Sequence, residues 1–117
     1  MQTLIILNRN PYDGTDVTWN ALRLAEQLHK VGVDVRLFLM NDSVDLAREE
    51  VASQQYDFDL GEMLQDLINQ GFPVKVCGTC MVRCGVEKNK PLRKGAVEAK
   101  MPELAEWVKE ADSVLSF

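Results

Sequence analysis

The chain has 117 residues, of which 46% are hydrophobic and 26% charged, proportions typical of a globular protein rather than of a disordered segment. This length suits a single core, so we expect one domain over residues 1–117. No run approaches the roughly 18–20 apolar residues that a membrane span needs, and a net charge of −5 disfavours nucleic acid as a partner.

Strands and helices alternate along the sequence. The first half is predicted to form a strand over 3–7, a loop over 8–14, a helix from Thr15 or Asp16 to Gly32, a strand over 33–39, a short helix capped by 41–43 and an irregular stretch over 51–58. The second half is predicted to form a helix from Leu60 that Gly71 stops, a strand over 74–77, a short helix through the cysteines, a loop over 86–95, a brief strand over 96–98, a helix from Pro102 and a final strand over 113–117. This alternation indicates an α/β fold, a three-layer sandwich around a mostly parallel sheet of about five strands.

Two segments follow strands at positions suited to a functional site. In parallel sheets, sites lie outside the carboxyl ends of the strands, and these ends share one edge. The loop 8–14 follows the first strand and the segment 77–85 follows the third. We therefore expect Cys77 to face Asn8, Asn10 and Tyr12.

All three cysteines lie within eight positions, in a Cys-Gly-Thr-Cys-x-x-x-Cys pattern over 77–84 that follows the apolar run 73–76. A cysteine where a strand ends and a helix begins faces backbone N–H groups, which favour the thiolate nucleophile. Cys77 is thus a candidate nucleophile, although a packed structural cysteine is the simpler interpretation. Cys80, one turn later, is either a resolving thiol or a small core residue, and Cys84 fits a structural role.

The cysteines lead into a basic segment of an otherwise acidic protein. Residues 75–100 contain seven basic and two acidic side chains and carry a net charge of +5, so the rest of the chain carries −10. The segment is either a solvated loop or the source of a local positive potential. In the second case Arg83 and nearby lysines stabilise a thiolate and attract acidic partners.

The sequence does not favour a metal or a cofactor. Three thiols in this spacing are one ligand short of a closed zinc or iron–sulfur site, and His29, the only histidine, lies at the far end of the first helix. The loop 8–14 has one glycine and no phosphate-binding pattern.

Several segments in order resemble the DsrE/DsrF-like family of sulfur-relay proteins. They are Leu-Ile-Ile-Leu-Asn over 4–8, Pro-Tyr-Asp-Gly-Thr over 11–15, Ala-Leu-Arg-Leu-Ala over 21–25, the run 35–44, Pro-Val-Lys-Val-Cys-Gly-Thr-Cys over 73–80, Arg-Cys-Gly-Val over 83–86 and the run from Glu103 to Phe117. The resemblance implies an α/β sheet, trimeric or hexameric assembly and a cysteine that carries sulfur as a persulfide. In relay members, the glycine of an Arg-(x)-Gly-Val element lies eight residues after that cysteine. Gly85 lies eight residues after Cys77, so the resemblance assigns the persulfide-carrying role to Cys77. Cys80 and Cys84 depart from the relay pattern and favour the homomeric, single-gene branch.

Three functional hypotheses follow. The first is a cytoplasmic sulfur carrier that needs no cofactor, exchanges sulfur with donor and acceptor proteins, and uses Cys77 and Cys80 as reactive residues and Asn8, Tyr12, Thr79 and Arg83 as binding residues. The second is a dithiol–disulfide oxidoreductase based on Cys77 and Cys80. The third is a non-enzymatic homo-oligomeric module in which the cysteines only pack. The cytoplasmic location is expected because the sequence has no basic leader and an odd, clustered set of cysteines.

Overall fold

The computed structural model describes residues 1–49, 51–52 and 55–117. Along these residues the elements are β1 (Gln2–Leu7), α1 (Val17–Lys30), β2 (Asp34–Leu39), a 3-10 helix (Asn41–Ala47), α2 (Leu60–Asn69), β3 (Val74–Cys77), α3 (Gly78–Arg83), β4 (Ala96–Ala99), α4 (Met101–Glu110) and β5 (Ser113–Ser116). The predicted α/β class is confirmed. The predicted irregular stretch over 51–58 includes residues 53 and 54, which lie outside the described residues.

The five strands form one sheet in the order β4-β3-β2-β1-β5, and every pair is parallel. The expected sheet of about five mostly parallel strands is therefore confirmed. β1 lies between β2 and β5, and its apolar side chains Leu4, Ile5 and Leu7 are buried. An uninterrupted apolar strand fits this position because both faces of an inner parallel strand are covered.

The helices lie on both faces of the sheet. Right-handed crossovers place α1 and α2 on one face, since both connections step across the sheet in the same direction. The connection through α4 steps back from β4 to β5, which places α4 on the other face. Accordingly, α1 contacts α2, whereas Trp107 of α4 packs edge-to-face on Phe38 of β2 with ring centroids 6.1 Å apart. This is the predicted three-layer arrangement.

Local capping explains where the second helix and the last helix begin. The Asp59 carboxylate accepts a hydrogen bond from the Glu62 N–H at the start of α2, at 3.1 Å. In α4 the Glu103 carboxylate accepts from the Lys100 N–H at 2.6 Å, and a proline occupies the first turn. Both arrangements pair backbone N–H groups that a helix start otherwise leaves without partners.

The short helix predicted after residues 41–43 is a 3-10 helix rather than an α-helix. Its hydrogen bonds span three residues, as from the Ser43 N–H to the Met40 carbonyl at 3.1 Å. The Ser43 hydroxyl also donates to the Leu7 carbonyl at 2.8 Å and ties the segment to the end of β1. The 3-10 helix therefore lies across the carboxyl edge of the sheet, beside the segment that follows β3.

No helix within the described ranges is both long and apolar enough to cross a bilayer.

Candidate functional site

Cys77 is the last residue of β3 and directly precedes α3, the cysteine helix. It pairs with Ala99 in the β3–β4 ladder and is the N-cap of α3. Its Sγ accepts a hydrogen bond from the Cys80 N–H at 3.3 Å, and the residue is 6% exposed. Because a strand end and a helix start meet at this residue, a backbone donor points at the sulfur, as the sequence predicted.

Cys80 lies in α3, three residues after Cys77, and is also buried, with 8% exposure. Burial, which is the largest cause, and the hydrogen bond between its side chain and Cys77 raise the pKa of the Cys80 thiol to about 11, although the Asn41 backbone N–H opposes this shift. Negative charge on Cys77 or Cys84 also raises the pKa of Cys80. Cys80 is therefore a protonated thiol at neutral pH and lies in contact with the Cys77 sulfur.

Cys84 ends the cysteine helix and is half-buried. Its N–H donates to the Cys80 carbonyl at 2.7 Å, and its own carbonyl accepts from Arg48 Nη1 at 3.4 Å. All three cysteines are free thiols. The backbone of Cys84 is therefore held at both its N–H and its carbonyl.

A buried ion pair on the neighbouring segment holds the end of α3. Asp45 and Arg48 are each 1% exposed, and Arg48 Nη1 donates to Asp45 Oδ1 at 2.8 Å. Arg48 also donates to the carbonyl oxygens of Met81 and Cys84. Breaking such a pair leaves an uncompensated buried charge, so this contact fixes the cysteine helix strongly to the 3-10 helix.

The same ion pair holds the turn that follows the helix. Asp45 Oδ2 accepts from the Val86 N–H at 2.8 Å, and Asp42 Oδ1 accepts from the Gly85 N–H at 2.9 Å. Gly85 has φ of +81°, and a Cβ atom there would lie 2.5 Å from both Arg48 Nη1 and Asp45 Oδ1. Only glycine fits this turn because both the backbone conformation and the space exclude a side chain.

We predict that Gly85→Ala destabilises the fold more than Gly14→Ala does. Gly14 has a similar φ of +85°, but nothing lies within 4 Å of the place its Cβ would take. Gly14→Ala therefore carries only backbone strain, about 1–2 kcal/mol. Gly85→Ala should cost about 1–3 kcal/mol more, since the added methyl overpacks the buried ion pair.

Urea unfolding of the two variants measures this difference. Equal free energies of unfolding for Gly85→Ala and Gly14→Ala would show that the ion pair does not pack tightly against the turn.

The predicted binding residues lie at the expected edge but in different surroundings. Asn8 joins the ends of three strands: its amide donates to Ser116 Oγ at 3.0 Å, and its Oδ1 accepts from the Asn41 side chain at 3.0 Å. Since the Asn41 N–H faces Cys80, Asn8 reaches the cysteines through one intervening residue. Thr79 and Arg83 are exposed on α3 itself.

Tyr12 lies against the start of α2. Its hydroxyl accepts from the Leu60 N–H at 3.1 Å, and its ring packs against Tyr56 with centroids 5.8 Å apart. The contacts described for Tyr12 thus join loop 8–14 to α2. Asn10 of the same loop approaches the cysteine segment instead, since its amide donates to Asp45 Oδ2 at 3.3 Å.

The surroundings of the cysteine helix are not uniformly basic. A Cβ atom on Gly78 would lie 2.5 Å from Glu98 Oε1, so a carboxylate lies beside the first residue of α3. Two basic residues of the segment 75–100 are paired elsewhere: Lys75 lies over the Trp107 ring at 4.5 Å, and Arg93 contacts Glu62 at 3.2 Å. Of the two interpretations of the basic segment, a solvated loop or a local field, exposed side chains such as Arg83 and Lys88 fit either one.

Sequence reasoning missed Asp45 and Arg48. A signal was present, because a carboxylate and a guanidinium three residues apart occur within the apolar run from Val44 to Ala47 and its flank. Charged side chains among residues with core character are rarely buried unless they are paired. Among the described residues, no group of three or more histidine, cysteine, aspartate or glutamate side chains is arranged to hold a metal ion.

Known proteins resemble this chain over its full length. The sequence profile of the DsrE/DsrF-like family matches residues 1–117. Protein YchN of Escherichia coli (strain K12) is 38% identical over 121 residues, with all of both chains covered. The protein named Uncharacterized protein MJ0989, of Methanocaldococcus jannaschii, is 35% identical over 117 residues, again with full coverage of both.

A solved structure agrees with the sequence relatives. The crystal structure of the ychN protein from E. coli superimposes with a TM-score of 0.84 at 37% sequence identity and covers both chains completely. The resemblance seen in the sequence motifs is confirmed, and the chain belongs to the DsrE/DsrF-like family.

Proposed function

We propose that the protein is a cytoplasmic sulfur carrier that holds sulfane sulfur as a persulfide on Cys77. The observation that carries this proposal is the position of the Cys77 sulfur, at a strand end and in hydrogen-bond contact with the Cys80 N–H. Membership of a family associated with sulfur relay supports it.

The chemistry needs only thiols. The Cys77 thiolate attacks the sulfane sulfur of a donor persulfide, a bond forms between the two sulfur atoms, and the donor leaves as a thiolate. In delivery, an acceptor thiolate attacks the terminal sulfur and the Cys77 thiolate leaves. Because the sulfur travels covalently, neither step requires a metal or a cofactor.

The burial of Cys77 restricts what can react with it. At 6% exposure, the thiol admits the terminal sulfur of a donor more readily than a bulky group. The N–H donor that faces the thiolate also faces the inner sulfur of the loaded form. The proposed partners are proteins that present a terminal persulfide or thiol, and Thr79 and Arg83, which are exposed on the helix that follows Cys77, are proposed to bind them.

Loading followed by cyanolysis tests the proposal. The reduced protein is incubated with inorganic polysulfide and desalted, and its intact mass is measured. We expect a gain of one sulfur atom, which cyanide then removes as thiocyanate. A protein whose mass is unchanged, and which yields no thiocyanate, would contradict the carrier function.

The contact between Cys77 and Cys80 also favours a second candidate, the dithiol–disulfide oxidoreductase. This function predicts the loss of two hydrogen atoms on mild oxidation and no sulfur gain with polysulfide. A protein that shows neither mass change would instead fit the non-enzymatic module.

We further propose that the protein assembles as a homotrimer or homohexamer. Apolar side chains are exposed on β4 and α4, where Val97 is 56%, Met101 58% and Val108 42% exposed. Light scattering should give three or six times the chain mass of 13.2 kDa, and a monodisperse single chain at low micromolar concentration would contradict it.

A further inference from the structure

Cys80 is a buried nucleophile that the carrier chemistry does not use. Its thiol hydrogen-bonds with the Cys77 sulfur, and its backbone N–H donates to the same atom at 3.3 Å. Both residues are at least nine-tenths buried, so the inner sulfur of a Cys77 persulfide is shielded from bulky external thiols, whereas its terminal sulfur extends away from Cys77 toward an acceptor. The thiol in contact with the inner sulfur is therefore that of Cys80.

We infer that Cys80 resolves the Cys77 persulfide, so that the protein reduces sulfane sulfur to sulfide and closes a Cys77–Cys80 disulfide. This inference rests on the proposed function, because it requires a persulfide on Cys77. It adds an activity, sulfide release, to sulfur delivery.

The reaction balances with the groups present. The Cys80 sulfur attacks the inner sulfur of the Cys77 persulfide and loses its proton. A bond forms between the two cysteine sulfur atoms, the bond to the terminal sulfur breaks, and that sulfur leaves as hydrosulfide with the bonding electron pair. The terminal sulfur is reduced by two electrons, which the two cysteine thiols supply, so a single turnover needs no other reductant.

The geometry suits the closing disulfide. Cys77 is the N-cap of α3 and Cys80 lies three residues later, so the two side chains are neighbours on the first turn. Sulfur atoms already in hydrogen-bond contact approach the separation of a disulfide without a change of backbone path. Cys84 provides the contrast, since it lies beyond the last helical residue and its carbonyl is held by Arg48.

The environment of Cys80 slows resolution near neutral pH. Burial raises the pKa of Cys80 to about 11, so only a small fraction of this thiol is ionised near neutral pH. The groups that face it are the Cys77 and Cys84 sulfur atoms and the Asn41 N–H of the 3-10 helix. Slow resolution leaves an interval in which an acceptor takes the loaded sulfur, and the sulfur that no acceptor takes is discharged as sulfide.

Sulfide release from loaded protein tests the inference. Wild type, Cys80→Ser and Cys84→Ser are reduced, loaded with inorganic polysulfide, desalted without reductant under anaerobic conditions, and followed for free sulfide and intact mass. Wild type and Cys84→Ser should release one sulfide per loaded chain while losing two hydrogen atoms relative to the reduced protein. Cys80→Ser should keep its sulfur and release sulfide at least about tenfold more slowly.

Tryptic cleavage identifies the bond that forms. Cleavage after Lys75 and Arg83 yields one peptide, 76–83, that contains both Cys77 and Cys80, and places Cys84 on another. The discharged wild type should therefore carry an internal disulfide within 76–83. Circular dichroism monitors the folding of each variant. If serine at this buried position disturbs folding, Cys80→Ala replaces Cys80→Ser.

The outcomes separate this inference from the proposed function. A wild type that gains sulfur and keeps it without releasing sulfide overturns the inference alone, as does a Cys80 variant that discharges at the wild-type rate. If neither the wild type nor Cys80→Ser gains sulfur, the carrier function is overturned and the inference with it.

Discussion

The Cys77→Ser variant is expected to gain no sulfur from polysulfide, whereas the wild type gains one sulfur atom per chain. Serine preserves the size and the hydrogen-bonding position at the end of β3, but its oxygen does not form a persulfide. The loss should be complete because the other thiols lack the position of Cys77: Cys80 is protonated and Cys84 lies past the end of the helix. Intact mass after loading and desalting measures the effect.

Cys84→Ser is the matched control. It removes the half-buried thiol and leaves the Cys77–Cys80 contact in place, so its loading should equal that of the wild type. Undiminished loading of Cys77→Ser would show that Cys80 or Cys84 carries the sulfur, and a loss of loading in Cys84→Ser would point to Cys84.

Arg48→Met is expected to lower the free energy of unfolding by about 3–5 kcal/mol, because it leaves the Asp45 carboxylate buried without its charged partner. The variant also removes two hydrogen bonds to the carbonyls of Met81 and Cys84. Such a loss is a large part of the roughly 5–15 kcal/mol that stabilises a typical domain. Arg48→Lys retains the charge but not the planar donor set, and should cost about 1–3 kcal/mol.

Urea unfolding measures both variants, with Arg9→Met as the control. Arg9 contacts Asp13 at 3.3 Å, but its side chain is 50% exposed, so its removal should change stability by less than about 1 kcal/mol. A second measurement is the alkylation rate of Cys84 in Arg48→Lys, which should rise as the end of α3 loosens. Equal stabilities of Arg48→Met and Arg9→Met would show that the buried pair does not hold the cysteine helix.

The strands and helices could be predicted because local pattern and tertiary environment agree. The apolar run of β1 occupies an inner strand, and the spacing of Leu60, Leu64 and Leu67 places these side chains on the buried face of α2. The strand bounds of β3 match the prediction, so the sequence located the end of that strand at Cys77. The placement of loop 8–14 and segment 77–85 at one edge follows from parallel strand order alone.

The contacts within the edge could not be predicted, since they depend on how the 3-10 helix crosses it. The sequence places Asp45 and Arg48 within and beside an apolar run, but their burial against Gly85 is visible only in the tertiary structure. Loop 8–14 offered no signal that Tyr12 contacts α2 while Asn10 contacts Asp45. The turn-forming residues of such a loop predict an irregular backbone, but they do not predict which residues the loop contacts.

The spacing between Cys77 and Cys80 in the sequence leaves the role of Cys80 open, and the structure adds its burial. A thiol three residues after Cys77 fits either a core position or a resolving position, and in the structure Cys80 is buried with its side chain in contact with Cys77. This combination of burial and contact is the common basis of the proposed carrier function and of the inferred release of sulfide.

Mapping the loaded sulfur to one residue tests the central claim most directly. Loaded wild-type protein is alkylated, so that each persulfide retains its extra sulfur beneath the alkyl group, and is then cleaved with trypsin. Peptide 76–83 carries Cys77 and Cys80, and peptide 84–88 carries Cys84. Fragmentation between Cys77 and Cys80 should place the added sulfur on Cys77, and an added sulfur found on Cys80 or Cys84 in its place would contradict the account.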